Sequence, residues 1–211
     1  MPAQRWNWQI DPVSSSTDVE RAALRRRGVR LEYATLGWNV VGLAVLAITA
    51  LAARSVALAG FGLDSLIEIG ASIVVLWELA GTHEDRQRHG LRLIGIAFAL
   101  LAVYLAVQST LVLATGYRPG HSPAGIVWIA VTAAVMFALA AGKASTGAAL
   151  DNPVLRTEGR VTMVDGILAV AVLVGLIGNA ALGWWWADPA AGYVLVVYAV
   201  REVHTIFVDQ R

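Results

Sequence analysis

Two acidic residues, Asp64 and Glu68, stand one helical turn apart inside the apolar run Val56–Leu79. A carboxylate near the centre of a bilayer costs roughly 2.5–3.5 kcal/mol on insertion scales, so two of them need something that offsets the charge. At i and i+4 both fall on one face of a helix. Counted from Val56 they lie about 12 and 18 Å along the axis, which puts Glu68 near the middle of the membrane. Two carboxylates on one face repel when both are ionised. A bound cation or a proton removes that repulsion, and this is the chemistry the pair suggests. The alternative is a structural pair, hydrogen-bonded to a neighbouring helix.

A second acidic group opens a later apolar run, RTEGRVTMVDGILAVAVLVG. Glu158, Val161, Thr162 and Asp165 are spaced i, i+3, i+4 and i+7 and share a helix face. Asp165 has apolar residues on both sides and is a candidate ligand. Glu158 lies between Arg156 and Arg160, so it reads first as an acid at the membrane edge. The segment GTHEDRQRHG holds His83, Glu84, Asp85 and His89. The two histidines are six positions apart, not the i, i+4 spacing of a helical ligand pair. A solvated polar loop is therefore the reading these residues give.

The elements that must position these residues follow from composition. Of the 211 residues, 57% are hydrophobic and 15% charged, too apolar for a soluble domain of this size. Apolar runs of 18 or more residues recur, which reads as an all-α polytopic membrane protein. Six spans are expected: Thr35–Ala53, Val56–Leu79, Leu91–Ala114, Ala124–Ala141, Val161–Leu182 and Pro189–Val208. Each is long enough to cross about 30 Å of hydrocarbon at about 1.5 Å per residue. Residues 1–30 read as a polar cytoplasmic tail, mobile over 1–18, and 31–211 as the six-helix domain.

Basic residues gather before span 1 (Arg21, Arg25, Arg26, Arg27, Arg30), after span 2 (Arg86, Arg88, Arg92) and after span 4 (Lys143, Arg156, Arg160). By the positive-inside rule both termini are cytoplasmic. Trp184, Trp185 and Trp186 then fall at the outer interface, where indoles favour the headgroup level. The first apolar run is too long and begins too late for a cleavable signal, so the expected location is the inner or plasma membrane. A net charge of +1 gives no reason to expect nucleic-acid binding. With no cysteine, disulfides and thiolate metal sites are excluded.

The layout resembles the membrane domain of the cation diffusion facilitator (cation efflux) family. The span 2 match is Phe61-Gly-Leu-Asp64-Ser-Leu-Ile-Glu68, and the span 5 match is Glu158-Gly-Arg-Val161-Thr-Met-Val-Asp165. Further similarity lies in Asn39 of span 1, in the outer coordination environment, and in WWWADP (Trp184–Pro189) opening span 6. The resemblance covers roughly residues 30–207. It implies six spans, a homodimer, a divalent metal bound between spans 2 and 5, and an accessory metal site at His83 and His89 between spans 2 and 3. Three departures stand out. Val161 occupies the family's span 5 histidine position, Glu68 replaces an aspartate, and the family's cytoplasmic C-terminal domain is expected to be absent.

The remaining ligand set, Asp64, Glu68 and Asp165, is all oxygen, and the fourth ligand is water, Thr162 or, if span 5 sits deeper, Glu158. Such a site suits Mn²⁺ or Fe²⁺ better than a histidine-containing one does, while Zn²⁺ also accepts carboxylates. The expectation is therefore a secondary transporter, not an enzyme, with no prosthetic group. It exports a divalent cation of the Zn/Fe/Mn/Co class in exchange for protons, because metal and protons compete for the same lone pairs. One rival is a degenerate member that binds metal or a partner protein without transport. Another is a carrier of organic cations, which predicts an aromatic cavity near Asp64 built from Trp38, Trp77 or Trp128.

Overall fold

The computed structural model describes residues 12–79 and 84–209. The described residues form helices joined by short turns: α1 (Pro12–Ala53), α2 (Val56–Leu79), α3 (Glu84–Thr115), α4 (Pro123–Ala149), α5 (Pro153–Leu182) and α6 (Ala187–His204). A short π-helical turn, Thr205–Asp209, follows α6. Among the described residues, five helical stretches are long and apolar enough to cross a membrane: Val19–Ala53, Arg92–Thr115, Pro123–Ala149, Leu155–Leu182 and Ala187–Val208. The chain is an all-α, multi-pass membrane protein.

The polarity of the bundle agrees with that environment. Ile48, Leu51, Leu100, Val127, Val174 and Val197 are exposed. Polar side chains such as Thr35, Asn39, Ser109 and Thr132 are buried. A soluble protein rarely exposes apolar surface so continuously. On α1 the buried positions Glu32, Thr35, Asn39, Leu46 and Ala50 recur at three-, four- and seven-residue steps, one face of a helix.

Local chemistry sets the helix boundaries. Ser122 accepts from the Gly125 N–H at 3.1 Å and is followed by Pro123 at the first position of α4. Asn152 Oδ1 accepts from the Leu155 N–H at 3.2 Å ahead of Pro153 at the start of α5. A capping side chain followed by proline is a strong helix start, because proline lacks only an N–H that would be unpaired there. Gly116 and Gly183 end α3 and α5 at φ +66° and +67°, the left-handed conformation that glycine adopts without strain.

The start of α2 is tied to α6. The Ser55 hydroxyl donates to one oxygen of Asp188, and the Val56 N–H donates to the other at 2.9 Å. Ser55 Oγ in turn accepts from the Leu58 N–H at 3.1 Å. Asp188, fully buried, thus caps α2 from across the bundle and sets a carboxylate against the positive end of its dipole. The WADP segment therefore has a structural role, because it fixes the height of the helix that carries Asp64 and Glu68.

Within the bundle α4 lies along α5, α3 along α6, and α2 touches α1, α3, α5 and α6. The α4–α5 contact is close at Gly159, where a Cβ would come within 2.9 Å of the Ala144 nitrogen. The same holds between α5 and α6 at Gly175, 2.8 Å from the Ala187 carbonyl oxygen. Small residues allow such approach between membrane helices.

Several expected boundaries move. α1 begins at Pro12, so positions 12–30 of the expected polar tail, including 12–18 of its expected mobile part, are helical, while positions 1–11 lie outside the described residues. Between Pro12 and Gly28 nothing breaks the helix, and Ala, Arg, Leu and Glu favour it. α3 begins at Glu84, so Glu84–Gly90 of the expected polar loop is helix. α4 runs to Ala149 and α5 starts at Pro153, eight residues beyond and before the expected limits of their spans. Both Lys143 and Glu158 therefore stand inside helices, not in a connecting loop.

Candidate metal site

Asp64 and Glu68 lie on consecutive turns of α2, and Asp165 lies on α5. The structure brings all three together: one carboxylate oxygen of each lies within 4.8 Å of the others. Asp64 and Asp165 are 2% and 3% exposed, and Glu68 is partly buried. Asp64 Oδ1, Glu68 Oε1 and Asp165 Oδ1 are buried and have no hydrogen-bond partner. Buried polar atoms are paired in the great majority of cases, so three orphaned oxygens in one cluster point to a site shaped for positive charge.

The other oxygen of Glu68 is held. Asn39 on α1, itself 2% exposed, donates from Nδ2 to Glu68 Oε2 at 3.0 Å. That bond orients the carboxylate so that Oε1 is left for the cluster. Three helices thus build the site: α1 orients Glu68, α2 supplies two acids and α5 the third.

The spacing suits one cation. Ligand oxygens around a single ion are at most two bond lengths apart, about 4–5 Å for metal–oxygen bonds of about 2.0–2.4 Å. Three carboxylates at this distance repel one another unless a cation or protons lie between them. An all-carboxylate set favours hard or borderline divalent ions.

Thr162 is buried one turn before Asp165, and its hydroxyl donates to the Glu158 carbonyl at 2.9 Å. Glu158 is not part of the cluster. Its Oε2 lies 3.7 Å from Lys143 Nζ. Val161 is 39% exposed and turned toward the outside of the bundle. The buried neighbour of Asp165 is Thr162, so the inward face of α5 is offset by one residue from the motif register. The side chains of His83 and His89 lie outside the described residues, as does that of Trp77. Trp38 and Trp128 stack on each other between α1 and α4, with ring centroids 4.9 Å apart and planes at 8°. Trp38 also donates to Thr132 Oγ1 at 3.2 Å. Trp184 and Trp186 stack at 5.6 Å and are about half exposed at the turn before α6.

Sequence reasoning missed several residues around this cluster. Lys143 is 1% exposed and donates to Glu32 Oε2 at 3.0 Å, joining α1, α4 and α5 in a buried ionic group. Glu32 was hidden among the arginines that precede the first span. On α6, Glu202 and Tyr198 lie one turn apart, Glu202 partly buried and Tyr198 buried. Tyr198 packs edge-on against Phe98 with ring centroids 5.9 Å apart. The signal that could have found Lys143 is its identity: it is the single lysine among the 16 Lys and Arg residues of the chain. A scan of the sequence against models of known protein families returned no match.

Proposed function

We propose that this protein is a secondary transporter that exports a divalent metal cation of the Zn/Fe/Mn/Co class from the cytoplasm in exchange for protons. The observation that carries the reading is the buried cluster of Asp64, Glu68 and Asp165, each with an unpartnered oxygen. The resemblance to the membrane domain of the cation diffusion facilitator family rests on the same acids and on Asn39.

In this reading α2, 24 residues long, also crosses the membrane, as span 2, and brings the number of spans to six. Its length corresponds to about 36 Å, sufficient to cross the hydrocarbon core. Arg21–Arg30 before span 1 set both termini on the cytoplasmic side, and the functional form in the bilayer is a homodimer. The deprotonated cluster takes a cation from the cytoplasm, and Asn39 keeps Glu68 oriented toward it. Protons arriving from the other side take up the same lone pairs and release the cation. Rocking of helices about a site near the midplane gives alternating access.

The test is flux in proteoliposomes loaded with a pH-sensitive dye, with Mn²⁺, Fe²⁺, Co²⁺ and Zn²⁺ added in turn. Metal-driven proton movement that disappears in Asp64→Ala and Asp165→Ala, with both variants still inserted, is the expected result. Flux retained in both variants removes the site from the mechanism. One observation favours the second reading, a metal-binding protein without transport: Val161 cannot ligate and does not face the cluster. That protein would bind metal in detergent and show no flux with any ion.

A further inference from the structure

Glu32 on α1 and Glu158 on α5 stand seven residues before Asn39 and Asp165 on their helices. Seven residues are two turns, about 10 Å along the axis. The two glutamates therefore form a second acidic level, directly in line with the first and nearer the helix ends at Ala149 and Pro153. Between them lies the Lys143 ammonium, 3.0 Å from Glu32 and 3.7 Å from Glu158.

Three features distinguish this level from an ordinary buried ion pair. Two carboxylates face one ammonium, so a formal charge of −1 remains. Glu32 is 5% exposed, and its Oε1 is buried without a partner, although Lys143 holds Oε2. The Glu158 side chain is 21% exposed, so the level opens toward the polar end of the bundle there.

We propose that Glu32 and Glu158 form a second divalent-cation station, held closed by the Lys143 ammonium acting as a tethered cation. The transport part of this statement rests on the reading above: an ion moving between the cytoplasm and the upper cluster displaces Lys143 on its way. The binding part does not rest on it, because the lower level uses none of the upper carboxylates. An ammonium and a divalent ion both satisfy clustered carboxylates, but the divalent ion also neutralises the remaining negative charge.

The experiment is equilibrium dialysis of Mn²⁺ with the detergent-solubilised full chain. Lys143→Gln is expected to bind one equivalent more than the wild type, and adding Glu32→Gln is expected to abolish that increment. Wild-type protein that binds no Mn²⁺ contradicts the transport reading, while the increment in Lys143→Gln still reports on the lower station alone. A folded Lys143→Gln chain with no additional equivalent overturns the proposal. If Lys143→Gln fails to fold, it is prepared in Mn²⁺. Recovery supports a station that accepts the ion in place of the ammonium, and failure to recover overturns it. In the wild type, acylation of the single lysine by acetic anhydride, followed by mass spectrometry, is expected to rise several-fold in saturating Mn²⁺. An unchanged rate overturns the displacement of Lys143.

Discussion

Replacing Asn39 by leucine removes one hydrogen bond and retains the three acids. The bond runs from a buried amide to Glu68 Oε2 at 3.0 Å. A hydrogen bond to a charged group contributes about 1.5–3 kcal/mol. At about 1.4 kcal/mol per decade, that is a factor of 10 to roughly 100 in an equilibrium constant. Mutating residues that orient metal ligands lowers affinity about 10–100-fold, so two independent lines give the same size of effect. Leucine branches at the same atom as asparagine, which keeps the change in packing between α1 and α2 small. The assay is Mn²⁺ affinity in detergent, with circular dichroism to confirm helix content. Asn39→Leu is expected to bind about 10- to 100-fold more weakly with unchanged stoichiometry. Wild-type affinity would show that Glu68 needs no orientation from α1, and the three-helix construction of the site would fall.

Asp188→Ala removes two buried bonds at the start of α2 and is expected to lower stability by about 3–5 kcal/mol, read by denaturation in mixed micelles. Wild-type stability would show that Ser55 alone caps the helix. Gly159→Val forces a side chain against the backbone of α4 at Ala144 and Ala140, and a loss of about 1–3 kcal/mol is expected in thermal unfolding. Thr162→His sets an imidazole beside Asp165 and is expected to shift the binding preference from Mn²⁺ toward Zn²⁺, whereas Val161→His, directed outward, leaves it unchanged. The reverse pattern in competition binding would restore the motif register at position 161.

The acid cluster is legible in the sequence because ionisable residues in apolar runs are rare and costly, and helical spacing places Asp64 and Glu68 on one face. The partnership with Asp165 is not legible from periodicity, which says nothing about which helices meet. Hydropathy ends the spans too early. The segment GKASTGAAL is weakly apolar, which stops span 4 at Ala141, yet its small residues carry the helix on to Ala149 along α5. That difference hides Lys143, and the polar context of RRRGVRLEY hides Glu32. The role of Asp188 is equally hidden, because its partner Ser55 is 133 positions away in the chain. The offset between Val161 and Thr162 is a matter of helix rotation, which one sequence does not fix.

The proposed exchange of metal for protons at one set of carboxylates is the claim on which the transport reading depends. The direct measurement is to titrate Mn²⁺ into weakly buffered, detergent-solubilised protein and count the protons released per ion bound. Proton release is expected to accompany saturable binding in the wild type and to be lost together with binding in Asp64→Asn and Asp165→Asn. Saturable binding with no proton release, or release that persists in both variants, would contradict the exchange.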